Sequence, residues 1–205
     1  DKSVVAFYAD EYPDFIPQVL SEDGKLYGSV DHVGILEIDL KTNTFSLVHK
    51  VSDATVSHQW VRAVDKNWVF FEEYTDSKEN ANFYLLNRTT GEVTTVKENE
   101  KIPLIQHITA FFTEDSKLVF NIVKDSKEDT SLNTLHQLET TTMKDQVIDQ
   151  NTFSPIQFNG KLYYIRYDAS ANHSEVVQYD MKSGEKEVTL THQSATEHLN
   201  QLFTD

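Results

Sequence analysis

The sequence predicts an all-β protein, a β-propeller built of four-stranded antiparallel blades, and three observations predict it. Strand-like runs rich in Val, Ile, Phe, Tyr and Trp recur along the 205 residues between clusters of Asp, Asn, Gly, Ser and Thr, and no segment sustains the spacing of a long amphipathic helix. A turn feeding an aromatic strand occurs four times, at Asp23-Gly24-Lys25-Leu26-Tyr27, Lys66-Asn67-Trp68-Val69-Phe70, Asp115-Ser116-Lys117-Leu118-Val119-Phe120 and Asn159-Gly160-Lys161-Leu162-Tyr163-Tyr164. A strand ending in a polar turn also occurs four times, around Asp39, Asn87, Glu139 and Asp180. Those residues stand 48, 52 and 41 positions apart, the period of propeller blades.

Each repeat reads as an inner strand, a tight turn, the aromatic strand, a longer loop, a third strand, a tight turn and an outer strand. The inner strands are expected at Phe15 to Leu20, Trp60 to Val64, Ile108 to Phe112 and Ser154 to Phe158. The blades then cover about 15–51, 60–97, 108–149 and 154–191 of one propeller domain or segment, 1–205. Leu199 to Thr204 repeats the pattern of Ile108 to Thr113 and predicts the start of a fifth blade, while Val4 to Ala9 predicts a lone outer strand. An incomplete ring is therefore expected, completed by additional blades or by a homodimer, because unpaired sheet edges and bare blade faces seek partners.

Runs such as Lys161-Leu162-Tyr163-Tyr164-Ile165, Leu85-Leu86-Asn87-Arg88-Thr89-Thr90-Gly91-Glu92 and Val177 to Glu185 resemble the blades of bacterial TolB-like propellers and of the amino-terminal propellers of dipeptidyl peptidases. The resemblance implies a fold. It implies no single activity, because those families share none.

The net charge of -15 repels phosphate backbones and anionic lipid heads, so nucleic acid is not an expected partner. Without cysteine there is no disulfide, thiolate metal site or cysteine nucleophile. The longest apolar runs, such as Trp68 to Phe71, are too short to span a bilayer. Nucleophile-elbow, zinc-protease, P-loop and dinucleotide motifs are missing, which argues against an enzyme, and no cofactor is expected.

In a propeller the loops between second and third strands and those between blades emerge on one face, and loops carry function. Four acids begin the former loops: Asp31, Asp76, Asp125 and Asp168. Three histidines precede inner strands, His58, His107 and His198, and Trp60 opens one. The aromatic is a candidate platform, the histidines and acids candidate ligand contacts; solvated turns and surface histidines are the competing explanation, and no metal is expected. The functional expectation is a non-enzymatic binding module presenting these loops to a protein, peptide or glycan, located outside the cell or at the cell envelope, secreted or lipid-anchored. Two alternatives stay open: a propeller hydrolase or lyase with acids or histidines at the channel mouth, and a scaffold or sensor domain of a larger surface protein.

Overall fold

Runs rich in Val, Ile, Phe, Tyr and Trp between polar turns decide where the strands lie. The computed structural model describes residues 12–75, 80–100, 108–122, 133–168 and 170–193. It divides into two compact units, residues 1–105 and 106–205.

The first unit holds two sheets. One is β1 (Ile16–Leu20), β2 (Lys25–Val30), β3 (Gly34–Asp39) and β4 (Thr44–Lys50); the other is β5 (Val56–Val64), β6 (Trp68–Thr75), β7 (Ala81–Asn87) and β8 (Val93–Glu100). The second unit repeats the plan with β9 (Ala110–Phe112), β10 (Leu118–Ile122), β11 (Thr134–Glu139) and β12 (Lys144–Gln150), then β13 (Thr152–Phe158), β14 (Lys161–Asp168), β15 (His173–Tyr179) and β16 (Lys186–Gln193). In all four sheets neighbours in sequence are neighbours in space, and every pairing is antiparallel. The expected strands Val4 to Ala9 and Leu199 to Thr204 lie outside the described residues.

The recurring polar turn has a physical cause. The carboxylate of Asp39 accepts hydrogen bonds from the amides of Lys41 and Thr42, Asn87 does the same for Thr89 and Thr90, and Asp180 for Lys182 and Ser183. Four residues after each of these anchors the backbone turns left-handed, at Asn43, Gly91 and Gly184 (φ 59°, 73° and 76°). The third sheet has the same turn with the wrong residues. Glu139 replaces the short acid, and Met143 holds φ 55° where glycine or asparagine is at ease. Met143→Gly is therefore expected to stabilise the protein by about 0.5 to 1 kcal/mol, read as a higher urea midpoint at unchanged slope.

The first turns of sheets one and three also match bond for bond. Ser21 and Thr113 donate to Asp23 and Asp115, and they accept from the amides of Lys25 and Lys117.

In the first unit the sheets meet through Tyr27 and Ile35 on one side and Val61, Val69, Phe71 and Leu86 on the other. In the second, Val119, Leu135 and Ile148 meet Leu162, Tyr164, Val177 and Tyr179. Each such side chain contributes about 1.5 to 3 kcal/mol of burial, which holds the seams closed. Polar groups fix their register. Gln18 reaches from β1 to β5, accepting from the amide of Val61 (2.7 Å) and donating to the carbonyl of Gln59 (3.1 Å) and to Ser29 (2.9 Å), so that its amide stands in for a strand neighbour.

A second polar bridge crosses each seam at one repeated place. His49, sixth residue of β4, bonds through Nε2 to Glu73, sixth residue of β6, at 2.9 Å. Asp149, sixth residue of β12, accepts from Arg166, sixth residue of β14, at 3.2 Å. The acid lies on opposite sides of the two bridges.

Two loops are shorter than expected. The link between β2 and β3 is only residues 31–33, and Asn151 alone joins β12 to β13. Left-handed backbone at His32 (φ 60°) and Asn151 (φ 59°) reverses the chain within those few residues.

Candidate functional site

The loop rim of the first unit brings three of the predicted residues near one another. β5 begins at Val56, so His58 lies inside the strand and Trp60 in its middle; neither precedes or opens it as expected. The extra length follows from β6, whose Thr75 and Tyr74 pair with Val56 and His58, with bulges at residues 57 and 62 absorbing the mismatch. The polar run Ser57-His58-Gln59 concealed the strand because Ser57 and Gln59 are buried in spite of their polarity.

Asp31 begins the turn after β2 and places Oδ2 3.3 Å from Nδ1 of His58, an ion-pair distance without hydrogen-bond alignment. Trp60 stands two residues along on the same face, since Trp60 pairs with Glu72 and His58 with Tyr74. Trp60 is partly exposed, but its indole nitrogen is buried and makes no hydrogen bond. The guanidinium of Arg62 lies 5.4 Å from the ring centroid. Arg62 is in turn anchored by Glu72, its Nε donating to Oε1 at 2.6 Å and its Nη2 in closer contact with the same oxygen. Glu72 is fully buried; burial pushes its carboxyl up to about 7 against the opposing pull of Arg62. The phenol of Tyr74 is also raised, by burial first and by the charge of Glu72 second.

The second unit places Asp168 at the end of β14, where it accepts from the amide and hydroxyl of Ser170 and from the amide of Ala171. Those bonds hold its pKa below the ordinary value and make it a turn former. Close by is a charged cluster missed by the sequence reading. Asp149 accepts from Tyr164 (2.7 Å), Arg166 and Lys186, and these bonds outweigh the upward push of burial. Arg166 also donates to Glu175 (2.6 Å), which bonds His173 (3.0 Å). Only period-two alternation relates these residues within their strands, and nothing local in the sequence pairs β12 with β14.

A third feature lies at the opposite turns of the first unit, a cleft of about 270 Å³ lined by Tyr27, Glu37, Val48, Leu86 and the turn from Asn87 to Gly91. Its charges are already matched: Glu37 accepts from Tyr27 and Lys25, and Arg88 donates to Asp23 (2.7 Å) and to the carbonyl of Asp65 (2.5 Å).

Asp76, Asp125, His107 and His198 lie outside the described residues. Among the described residues no group of three His, Cys, Asp or Glu side chains could hold a metal ion, and no helix is long and apolar enough to cross a membrane. Millimolar Zn²⁺, Ni²⁺ or Ca²⁺ is expected to leave the melting temperature within about 1 °C. Micromolar binding would instead stabilise the fold by about 4 kcal/mol, and a rise abolished by His107→Ala or Asp125→Ala would contradict the expectation.

No family model and no curated protein matches the chain. Solved structures do. An oligogalacturonate lyase in complex with manganese aligns at TM-score 0.60 and 13% identity over 86% of this chain and 53% of its own. The oligogalacturonate lyase of Vibrio parahaemolyticus aligns at 0.61 and 10%, over 84% and 52%. A putative TolB from Agrobacterium tumefaciens aligns at 0.53 and 14%, over 89% and 68%. The chain thus spans about half the length of the two lyases. At such identities the likeness is one of fold. With four antiparallel four-stranded sheets, it gives an all-β fold of propeller type, similar in its blades to those solved structures.

Proposed function

We propose that the chain is a non-enzymatic binding module that receives a protein, peptide or glycan on the rim around Trp60, His58 and Asp31. Trp60 carries this reading. A partly exposed indole on a polar inner strand, braced by a buried Arg62–Glu72 pair and flanked by an acid and an imidazole, is the composition of a recognition surface. Within each unit, the condition of the acids favours binding over catalysis. Glu73 is held by His49 and Ser52, Asp149 and Glu175 by their cations, and Asp168 by its own turn. A hydrolase or lyase reading would rest on Glu72, whose carboxyl near 7 suits proton transfer, yet its side chain has no exposed surface for a substrate to meet. An extracellular or cell-envelope location goes with the reading and rests on the blade resemblance to TolB-like propellers.

The test is a screen of the purified chain on peptide and glycan arrays, with hits measured by calorimetry. Trp60→Ala is expected to weaken a genuine hit at least tenfold, as loss of an aromatic anchor does. Hits indifferent to Trp60→Ala, His58→Ala and Asp31→Asn alike would place the binding surface elsewhere.

A further inference from the structure

We propose that the group stacking on Trp60 is a sugar residue, presented by its C–H face, and that Arg62 sets this preference. The inference rests on the binding reading above and narrows it to one ligand class. The residue is partly exposed while its indole nitrogen is buried, so the ring offers a ligand no hydrogen-bond donor. That ring already has a cation on it, the Arg62 guanidinium at 5.4 Å from the centroid. The cation is built in, since the Arg62 side chain is 13% exposed and its partner Glu72 0%.

An aromatic ring attracts a cation through its quadrupole, and that attraction is partly used once a first cation is seated. A second cation would also feel direct repulsion from Arg62. The net charge of -15 draws basic groups toward the protein as a whole, but at this ring a lysine or arginine side chain is a poor guest. A pyranose has no charge to repel. Its weakly polarised C–H groups pack on ring carbon, while its hydroxyls both donate and accept. Two residues along the strand, His58 (22% exposed) and Asp31 (39% exposed) offer an imidazole and a carboxylate to such hydroxyls.

Trp60 and Trp68 are the two tryptophans of the chain, so Trp68→Phe makes Trp60 the sole indole reporter. Fluorescence of this variant would be titrated with neutral tetrasaccharides of glucose, galactose, xylose and N-acetylglucosamine, and with an octapeptide of alternating lysine and alanine. Calorimetry on the unsubstituted chain repeats each titration, in case Trp68→Phe disturbs the fold. At least one tetrasaccharide is expected to bind with millimolar or tighter affinity, at least tenfold weaker in Trp60→Ala, with no response to the peptide. Arg62→Gln is expected to reverse the order, raising peptide affinity at least threefold and lowering that of the saccharide. Peptide binding through Trp60 without a saccharide response would overturn the sugar assignment and leave the binding reading standing. Failure of every titrant would also overturn the sugar assignment, and the array screen then decides the binding reading by itself.

Discussion

Replacing Gly34 with alanine is expected to destabilise the protein by more than about 3 kcal/mol, a large share of the stability of a domain of this size. Gly34 opens β3 with φ +145°, a backbone conformation that L side chains rarely adopt. A Cβ there would stand 1.9 Å from the carbonyl oxygen of His49 and 2.9 Å from its carbonyl carbon. Both obstacles are backbone, so no side chain can swing aside. Gly34 pairs with Lys50 across the ladder, and relief would have to come from pushing β4 away. Moving β4 displaces His49 from Glu73, so the damage would reach the seam between the first two sheets. Urea denaturation followed by tryptophan fluorescence measures the loss. A loss under 1 kcal/mol would mean that β4 yields far more easily than a packed ladder should.

The second large effect is a dependence on pH that belongs to Glu72. Its carboxyl moves from an ordinary 4.5 to about 7 on folding, because burial disfavours the charge more than Arg62 favours it. A carboxyl raised in this way binds its proton more tightly folded than unfolded. Its contribution to stability is complete below pH 4.5, declines as pH rises, and is gone above about 7. The amount carried by that interval is roughly 3 kcal/mol. Glu72→Gln removes the titration while keeping the shape. The unsubstituted protein is therefore expected to lose stability relative to Glu72→Gln by up to about 3 kcal/mol between pH 4.5 and 8. Urea midpoints of both proteins at four pH values give the difference directly. A difference independent of pH would show that Glu72 is ionised throughout, its charge fully met by Arg62.

The fold was legible because its signals are local. The anchors at Asp39, Asn87 and Asp180 mark turns in which a short side chain bonds the two amides ahead of it, so the turn's chemistry is written in consecutive residues. The aromatic second strands were legible for the same reason: β6 and β14 begin at Trp68 and Lys161, within the quoted motifs. The site was less so. Asp31 and His58 do come together, but they belong to different sheets, and the repeat suggested only that they share a rim. Arg62 sits at a bulge, where strand alternation breaks and no pattern tells which side the residue takes. Glu72 and Glu73 read as solvent-facing acids on any hydropathy argument, yet both are buried, each held by a partner on another strand. Buried charge is invisible to pattern because the partner that makes burial tolerable comes from another strand.

The reversed polarity of the two seam bridges bears on how a chain of repeated four-stranded sheets keeps its blades in order. If the outer strand of the third sheet docked on the second sheet, Asp149 would face Glu73, carboxylate against carboxylate. If the outer strand of the first sheet docked on the fourth, the imidazole of His49 would meet the guanidinium of Arg166 and find no acceptor there. Apolar packing alone could hardly tell these arrangements apart, since Phe71 and Tyr164 occupy the same place in their sheets. Two side chains per junction thus work as a lock and key for shuffled or swapped repeats, and a designer who made the blades uniform would erase that address.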